Sequence, residues 1–441
     1  MSTTSSAGRA APAWDLKGPL RFTLSTLNLR SVMDRWSERR PLLRDTVRRT
    51  NAHVHCFQEV LTASFGQDTH LLGHGFSSHG CTAALDNVRA MGRVGACYAW
   101  VVDRCASFPP TRSIMHALPG AVESARERWG CGGSFMTLLK DLTVLPFYGN
   151  SICTRQSAAH VHRHEVLRLG RFRSAQRALV VVDGAAVVAA DSAHSSAAAR
   201  RSGGAGNSSG REGARAATAA PRQPSATREE SGEARRGSGA SADADGRHSG
   251  QVAVWVVNAH LDHENERYRE RQAAKVLRWM EGVEDEAAGV VIAGDFNARP
   301  TEAMHKLLLR NGYRSAYAAR HGKEPERTWP SGIRAPLADT GDPECVDYIY
   351  YRPCQGYAVR VTDAELTGTE HDRADDGLYP TDHYGIVAKL EVSPLRGFAQ
   401  GALADVTERV RAMVGQRGGF SEEVVVDVPE DAAGASGGGG Q

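Results

Sequence analysis

Nowhere in this 441-residue chain does an apolar run approach the length of a membrane span. The opening stretch, Met1 to Trp14, lacks the apolar h-region of a secretory signal; its Ser, Thr, Ala and Arg read as a disordered tail in preference to a short transit peptide. An excess of one charge is missing too. With 53 Lys and Arg against 51 Asp and Glu the net charge is only +2, and nothing global calls for nucleic acid or an anionic membrane. The eight cysteines (Cys56, Cys81, Cys97, Cys105, Cys131, Cys153, Cys345 and Cys354) include no C-x-x-C pair and lie too far apart for a disulfide framework. Cys56 and Cys153 sit in apolar runs and read as small buried hydrophobes. A reducing, intracellular compartment, cytoplasm or nucleus, is the expectation.

The deepest deficit is local. Residues 192–250 contain no Val, Ile, Leu, Met, Phe, Tyr or Trp, and carry nine Arg against six acids. Such a segment cannot bury enough surface to offset the ordering of its backbone, so a disordered insertion is expected. Strand-like runs flank it, Arg177 to Val188 before and Gln251 to His260 after. The pattern is a hairpin with an inflated turn, which costs little because closure entropy grows slowly with loop length. The insertion interrupts one domain and does not separate two.

The remaining composition, 41% hydrophobic and 24% charged, is that of an ordinary globular protein. Its organisation reads as a tail over 1–18, an ordered body over 19–392, a helix over 396–416 with Leu403, Val406, Val410 and Met413 on one face, and a Gly-rich tail over 417–441. Within the body, Arg21 to Leu29, His53 to Val60, Cys97 to Val102, Phe147 to Thr154, Val290 to Ile292 at the head of an extended run stopped by Pro300, Val346 to Tyr351 and Tyr384 to Leu390 read as strands. Trp36 to Thr50 and Glu264 to Met280 read as amphipathic helices, with two helical excursions near 121–129 and 135–142. Thr301 reads as the cap of a helix carrying Met304, Leu307 and Leu308.

Chemistry-bearing residues recur where apolar strands end: Asn28, Glu59, Asn258 with His260, Asp295 with Asn297, Asp347, and Asp382 with His383. In Val290 to Pro300, period-two geometry puts Asp295 and Asn297 on one side of the chain and Phe296 on the other. Carboxylates and amides with histidines, and no thiols, favour Mg²⁺ or Mn²⁺ over a cysteine-rich zinc site. Such a set can serve a hydrolysis in which water attacks an activated phosphorus centre. Taken singly, each residue has a plainer reading as a turn, cap or surface group. His263 reads as a surface residue at a helix start, Asp339, Asp342 and Glu344 as an acidic loop, and Trp329 beside Pro330 as a packed aromatic or a substrate wall.

In their order along the chain these pieces resemble the endonuclease/exonuclease/phosphatase superfamily, the fold of deoxyribonuclease I. The matching motifs are Leu27-Asn28, Phe57-Gln58-Glu59-Val60, Tyr148-Gly149-Asn150, Asn258-Ala259-His260-Leu261, Gly294-Asp295-Phe296-Asn297, Val346-Asp347-Tyr348-Ile349 and Thr381-Asp382-His383, spread over about residues 20–392. The resemblance implies a four-layered α/β sandwich of two packed, mostly antiparallel sheets flanked by helices, with the site at one edge. It implies a metal-dependent phosphoesterase, phosphodiesterase before monoesterase, with Mg²⁺ or Mn²⁺ as cofactor and a monomeric state. Nucleic acid leads among the substrates it implies, followed by phospholipid head groups and small phosphodiesters. Glu59 matches the main metal-ligand glutamate, supported by Asn28 and Asp382. Asp295 matches the residue that orients or deprotonates the attacking water, and Asn297 a group that binds a phosphate oxygen. His383 matches the catalytic histidine, positioned by Asp347, and His260 a second histidine that abasic-site endonucleases lack. Asn150 and Asn258 stand at substrate-contacting positions, and Arg177 matches a structural arginine. Thr381 stands where Ser is commoner, and Ala259 where Thr is. Glu123 and Glu165 are the acids in view as partners for His260. The competing class is a non-catalytic binding or scaffold protein on the same sandwich; a metalloprotease reading from His260 to Glu264 lacks the H-E-x-x-H spacing.

Overall fold

A computed structural model describes residues 16, 18–62, 66–82, 148–170, 173–203, 250–283, 286–335, 338 and 341–395. Backbone contacts divide the chain into Met1–Pro394 and Leu395–Gln441, and every element below lies in the first unit. In chain order these are β1 (Leu20–Asn28), α1 (Trp36–Arg49), β2 (Val54–Leu61), α2 (Gln67–Leu72), β3 (Phe76–Thr82), β4 (Tyr148–Arg155), β5 (Ala159–Gly170), β6 (Arg173–Asp183) and α3 (Gly184–Gly203). After the insertion come β7 (Gln251–His260), α4 (Glu266–Trp279), β8 (Gly289–Asp295), α5 (Ala303–Arg310), β9 (Arg314–Ser315), α6 (Ala316–His321), β10 (Asp347–Pro353), β11 (Tyr357–Thr367) and β12 (Gly385–Pro394).

The strands form two six-stranded sheets, ordered β11-β12-β1-β2-β4-β3 and β5-β6-β7-β8-β10-β9. Pairing is antiparallel except between β1 and β2 and between β7 and β8. Strand alternation decides what goes where. In β1 the residues Leu20, Phe22 and Leu24 face the second sheet, as do Val54 and Cys56 in β2, and they meet Val252, Val254 and Val256 of β7, Val291 and Ala293 of β8, and Ile349 of β10. The opposite parity faces the helices. Leu27, Phe57 and Cys153 pack with Leu43 and Val47 of α1 and Leu71 of α2. Trp255, Val257, Ile292, Tyr348 and Tyr350 pack with Ala273 and Val276 of α4 and Met304 and Leu308 of α5. The result is helix, sheet, sheet, helix: the four-layered α/β sandwich. Among the described residues no helix is long and apolar enough to cross a membrane.

Several elements differ from the sequence reading. The strand expected to run to Val188 stops at Asp183, whose carboxylate accepts the Ala186 N–H at 2.9 Å and starts α3. That helix carries the chain through Gly203, so the first residues of the 192–250 segment are helical. The run is rich in Ala, the best helix former, and a helix needs no large apolar side chain to form. Helix α5 begins at Ala303 with Glu302, not Thr301, at its N-cap position. The Glu302 carboxylate instead takes the Arg269 guanidinium (2.7 Å) and the Arg299 N–H (3.1 Å). Strands β3, β5 and β11 carry too few regularly spaced apolar residues to be legible beforehand; β3, β5 and β11 are also edge strands, which bury less. The strand expected at 97–102, the helices expected near 121–129, 135–142 and 396–416, and the tails at 1–15 and 417–441 lie outside the described residues. The five described cysteines, Cys56 and Cys153 among them, are buried free thiols.

Candidate active site

Inward-facing positions run out of apolar residues at one end of the strands, and there the chemistry gathers. Strand register sets His260 of β7 opposite Asp295 of β8, and Asp295 opposite Asp347 of β10. Three functional side chains thus stand in one row across three neighbouring strands. Gly294 makes the row possible: with φ at +146°, a Cβ there would lie 1.9 Å from the Ala259 carbonyl oxygen. From the other sheet, Asn28 Nδ2 donates to Asp295 Oδ2 at 3.0 Å. The Asn297 N–H donates to Asp295 Oδ1 at 2.9 Å, through a left-handed turn in which Asn297 has φ 49°. Strand alternation therefore ends at Asp295, and a turn rather than strand parity brings Asn297 to the cleft.

His383, just before β12, joins the row from the first sheet. Its Nδ1 sits 2.9 Å from Asp347 Oδ2, and its Nε2 lies 3.9 Å from Asp295 Oδ2. His260 Nε2 lies 3.6 Å from the same oxygen. Thr328 Oγ1 accepts the N–H groups of Val346 and Asp347 and fixes the start of β10. Titration follows from this crowding. Burial, and then the charge of Asp347, push the Asp295 carboxyl well above the usual carboxylate range. Burial works against a charged His383, but Asp347, Asp382 and Asp295 together outweigh it and raise its pKa to about 10. Burial and the Arg173 cation hold His260 well below the ordinary histidine value.

The facing wall comes from the ends of β2 and β1. Glu59 follows a register shift in β2 and has φ 51°, a left-handed conformation that costs a non-glycine residue of order 1 kcal/mol and clusters at functional sites. Arg30 lies between Asp382 (Nη1 to Oδ2, 2.9 Å) and Asp34 (Nε to Oδ2, 2.9 Å). Burial opposes the charge on Arg30, yet Asp382, Glu59 and Asp34 raise its pKa further. Thr381 Oγ1 donates to the Asn28 carbonyl at 2.8 Å, tying the Thr381–His383 segment to the end of β1. Arg173 Nη1 lies against the His260 ring, 2.8 Å from Nε2, and its Nη2 is 2.9 Å from Nδ1 of the exposed His263. Trp329, Glu344 and Tyr148 complete a cleft of about 410 Å³.

Of the residues named from the sequence, Glu59, His260, Asp295, Asn297, Asp382 and His383 line this cleft, while Asn28 and Asp347 stand behind it, bonded to Asp295 and His383. Asn258 and Asn150 do not line it. The Asn258 amide donates to Phe57 O and Ser151 O and accepts from Gln58, bracing the two sheets; Asn150 donates to Ser174 O. Glu165 is taken by Arg177 (2.6 Å), which packs between the rings of Trp255 and Trp279, and is no partner of His260; Glu123 lies outside the described residues. Glu344, read as part of an acidic loop, pairs with Arg299 and faces the cleft. Arg30 and Arg173 were not foreseen. Arg30, two residues beyond Asn28, was within reach of motif reading; Arg173 begins a strand in a run with no motif. Ligand atoms of Asp295, Asp347 and His383 lie within 4.8 Å of one another, a buried group able to hold a metal ion. Buried Asp347 Oδ1 has no hydrogen-bond partner, and the oxygen-rich set suits a hard divalent ion.

The model of the Endonuclease/Exonuclease/phosphatase family matches residues 25–383, which spans every cleft residue above. The chain belongs to that family. Its members are hydrolases acting on phosphodiester bonds. Among curated members, nocturnin of Rattus norvegicus is 29% identical over 148 residues, 31% of this chain and 33% of that protein, and nocturnin of Xenopus laevis is 31% identical over 134 residues, 28% and 32% of the two chains. The chain therefore matches about a third of the length of these relatives. Among solved family structures, the human nocturnin catalytic domain with bound sulfate anion is 16% identical, covering 84% of this chain and 94% of that one at a TM-score of 0.44. D. rerio TDP2 complexed with single strand DNA product is 15% identical, with coverage of 84% and 98% and a TM-score of 0.45.

Proposed function

We propose that this protein is a divalent-metal-dependent phosphodiesterase whose catalytic body is residues 19–392. One observation supports it above the others: His260, Asp295 and Asp347 stand in register on three strands, with Asn28 and His383 converging on Asp295 from the opposite sheet. Asn28 and the Asn297 N–H fix both oxygens of the Asp295 carboxylate, which orients the attacking water and takes its proton. Its raised pKa makes it a stronger base than an exposed aspartate, closer to the working range of a general base. His383, protonated and oriented by Asp347, donates from Nε2 to a phosphoryl oxygen as negative charge builds there. His260, held neutral, and Asn297 contact the other phosphoryl oxygens, and Arg30 and Arg173 offset the charge of the diester. Glu59 and Asp382, which line the cleft, would hold Mg²⁺ or Mn²⁺ there, with Asn28 bracing Asp295 behind them; the ion when bound would supply further positive charge to the phosphoryl and leaving oxygens.

The substrate assigned first is a nucleic-acid strand. Trp329 at the rim offers a flat apolar face for a base beside two arginines that can take the backbone. Assay of purified protein with Mg²⁺ or Mn²⁺ against RNA, DNA, a phospholipid with a diester head group and a phosphomonoester tests both claims. Diester cleavage abolished by EDTA and restored by metal is expected, fastest on a nucleic acid. Metal-dependent turnover of the lipid alone would move the substrate to head groups, and no turnover by folded protein on any member would leave a binding protein on this sandwich.

A further inference from the structure

The outer face of the first sheet, which packs against α1 and α2, changes character along its length. Near Asn28 and Glu59 it is closed by Leu27, Phe57, Leu43, Val47 and Leu71. Toward the other end of the same strands the outward positions become Ser25, His53 and His55, and β4 ends in Arg155. Ser25, His53 and His55 are buried, the His55 ring 5.3 Å from that of Phe57 and 5.4 Å from that of Phe76, and a cavity of about 680 Å³ opens between this patch, α1 and α3. Arg48 and Arg49 of α1 and Arg155 of β4 line it, with His55 at its floor and Leu72 and Phe76 as an apolar wall.

Its polar groups are arranged as donors. The His55 Nδ1 lies 2.7 Å from Ser25 Oγ. With the hydroxyl donating there, the ring's own N–H is at Nε2. Arg155 is half-buried; its Nη2 donates to the Ala52 carbonyl at 3.2 Å, and its guanidinium carbon lies 5.5 Å from the centre of the Phe76 ring. The Arg48 guanidinium makes no hydrogen bond or ion pair among the described residues. Of the acids nearby, Asp191 takes Asn51 Nδ2 at 2.8 Å, lies 3.4 Å from His53 Nε2 and acts through its charge on Arg155, while Glu370 holds Arg49 at 3.1 Å. Asp45, at the lining, is largely exposed and stands 4.0 Å from Arg44. Arg49 is taken by Glu370, and a phosphate bound in the cavity supplies acceptors for Arg48 and for the remaining N–H groups of Arg155.

We propose that this cavity is a second ligand site, separate from the cleft, for a small organic phosphate. The phosphate sits between Arg48 and Arg155 with the His55 Nε2–H as a further donor, and an apolar or planar body lies against Leu72 and Phe76. The site does not depend on the catalytic reading.

Calorimetric titration of 1-naphthyl phosphate and inorganic phosphate into the full chain, in EDTA, tests it. Expected are saturable binding of naphthyl phosphate, tighter than inorganic phosphate, and a shift of the His55 ring resonances on saturation. Loss of one charge-assisted contact weakens binding by about tenfold or more, so Arg155→Gln and the exposed Arg48→Gln each lose that much. Asp295→Asn, which touches only the cleft, leaves this binding intact. Arg48→Gln guards against a folding defect in the half-buried Arg155 variant. Unchanged affinity in Arg48→Gln and Arg155→Gln with still His55 resonances would overturn the proposal, and equal affinity for the two phosphates would overturn its apolar half.

Discussion

The same strands that carry the candidate active site carry, further back, a cavity of the opposite chemistry. At one end of β1, β2 and β4 stand Asn28, Glu59 and Tyr148; further back along them stand Ser25, His55 and Arg155. The cleft gathers carboxylates on the inward face between the sheets, and the cavity gathers arginines and the neutral His55 on the outward face under the helices. Both arise from one rule. A strand in a four-layered sandwich is apolar on both faces along its middle, so polar side chains are tolerated where an end leaves a layer uncovered. Which end becomes catalytic is decided by register across strands, because there, among the described residues, Asp295, Asp347 and His383 from three elements come within reach of one another.

The largest expected effect is at the cleft. His383→Ala is predicted to lower kcat on a phosphodiester by about 10² to 10³, the cost of losing one donor to the transition state, without unfolding the chain. Asp347→Asn is smaller in rate but more informative: it removes the first charge that raises the His383 pKa, so the alkaline limb of the pH–rate profile moves to lower pH. An unmoved limb would mean that Asp347 does not set the protonation of His383.

Stability against pH separates the two ends next. His383 has a folded pKa raised to about 10, so the folded state holds more protons than the unfolded one above an ordinary histidine value. Its contribution is present below that value and is lost as pH rises toward 10. Burial lowers His53 to about 4 and His55 to about 3, so the folded state holds fewer protons and stability falls as pH drops from about 6.5 toward those values. Buried His260, also lowered, adds to the acid side. Chemical denaturation of metal-free protein across pH checks this: His55→Gln flattens the acid limb and leaves the alkaline one, while His383→Gln does the reverse. Both variants altering the same limb would break the distinction. The smallest effect is a silence. Arg48→Gln leaves phosphodiester turnover within about twofold of wild type, since exposed charges far from a site act weakly on it.

Sequence made the cleft more legible than the cavity for a physical reason. Glu59 and Asp295 stand where the apolar strands β2 and β8 finish, and Asp347 and His383 where β10 and β12 begin; an apolar run bounded by a carboxylate or histidine is visible without coordinates. Arg30 and Arg173 reach the cleft from loops and strand starts, where no periodicity places them. Asn258 shows the opposite error of inference: a strand-end amide beside His260 that is spent on Phe57 and Ser151 inside the sandwich. The cavity joins Arg48 on a helix to Arg155 on a strand 107 positions away, and a solvated helical face accounts equally well for Arg48 when the chain is read alone. Helix α3 was missed because its alanines lack the apolar stripe by which helices announce themselves.

Turnover of bis(p-nitrophenyl) phosphate with Mg²⁺ by wild type and Asp295→Ala, with circular dichroism on both, bears most directly on the catalytic assignment. The arrangement predicts EDTA-sensitive hydrolysis by wild type and a loss of about 10² to 10⁴ in kcat for the variant, both chains folded. An Asp295→Ala protein that keeps nearly all of its activity would contradict it.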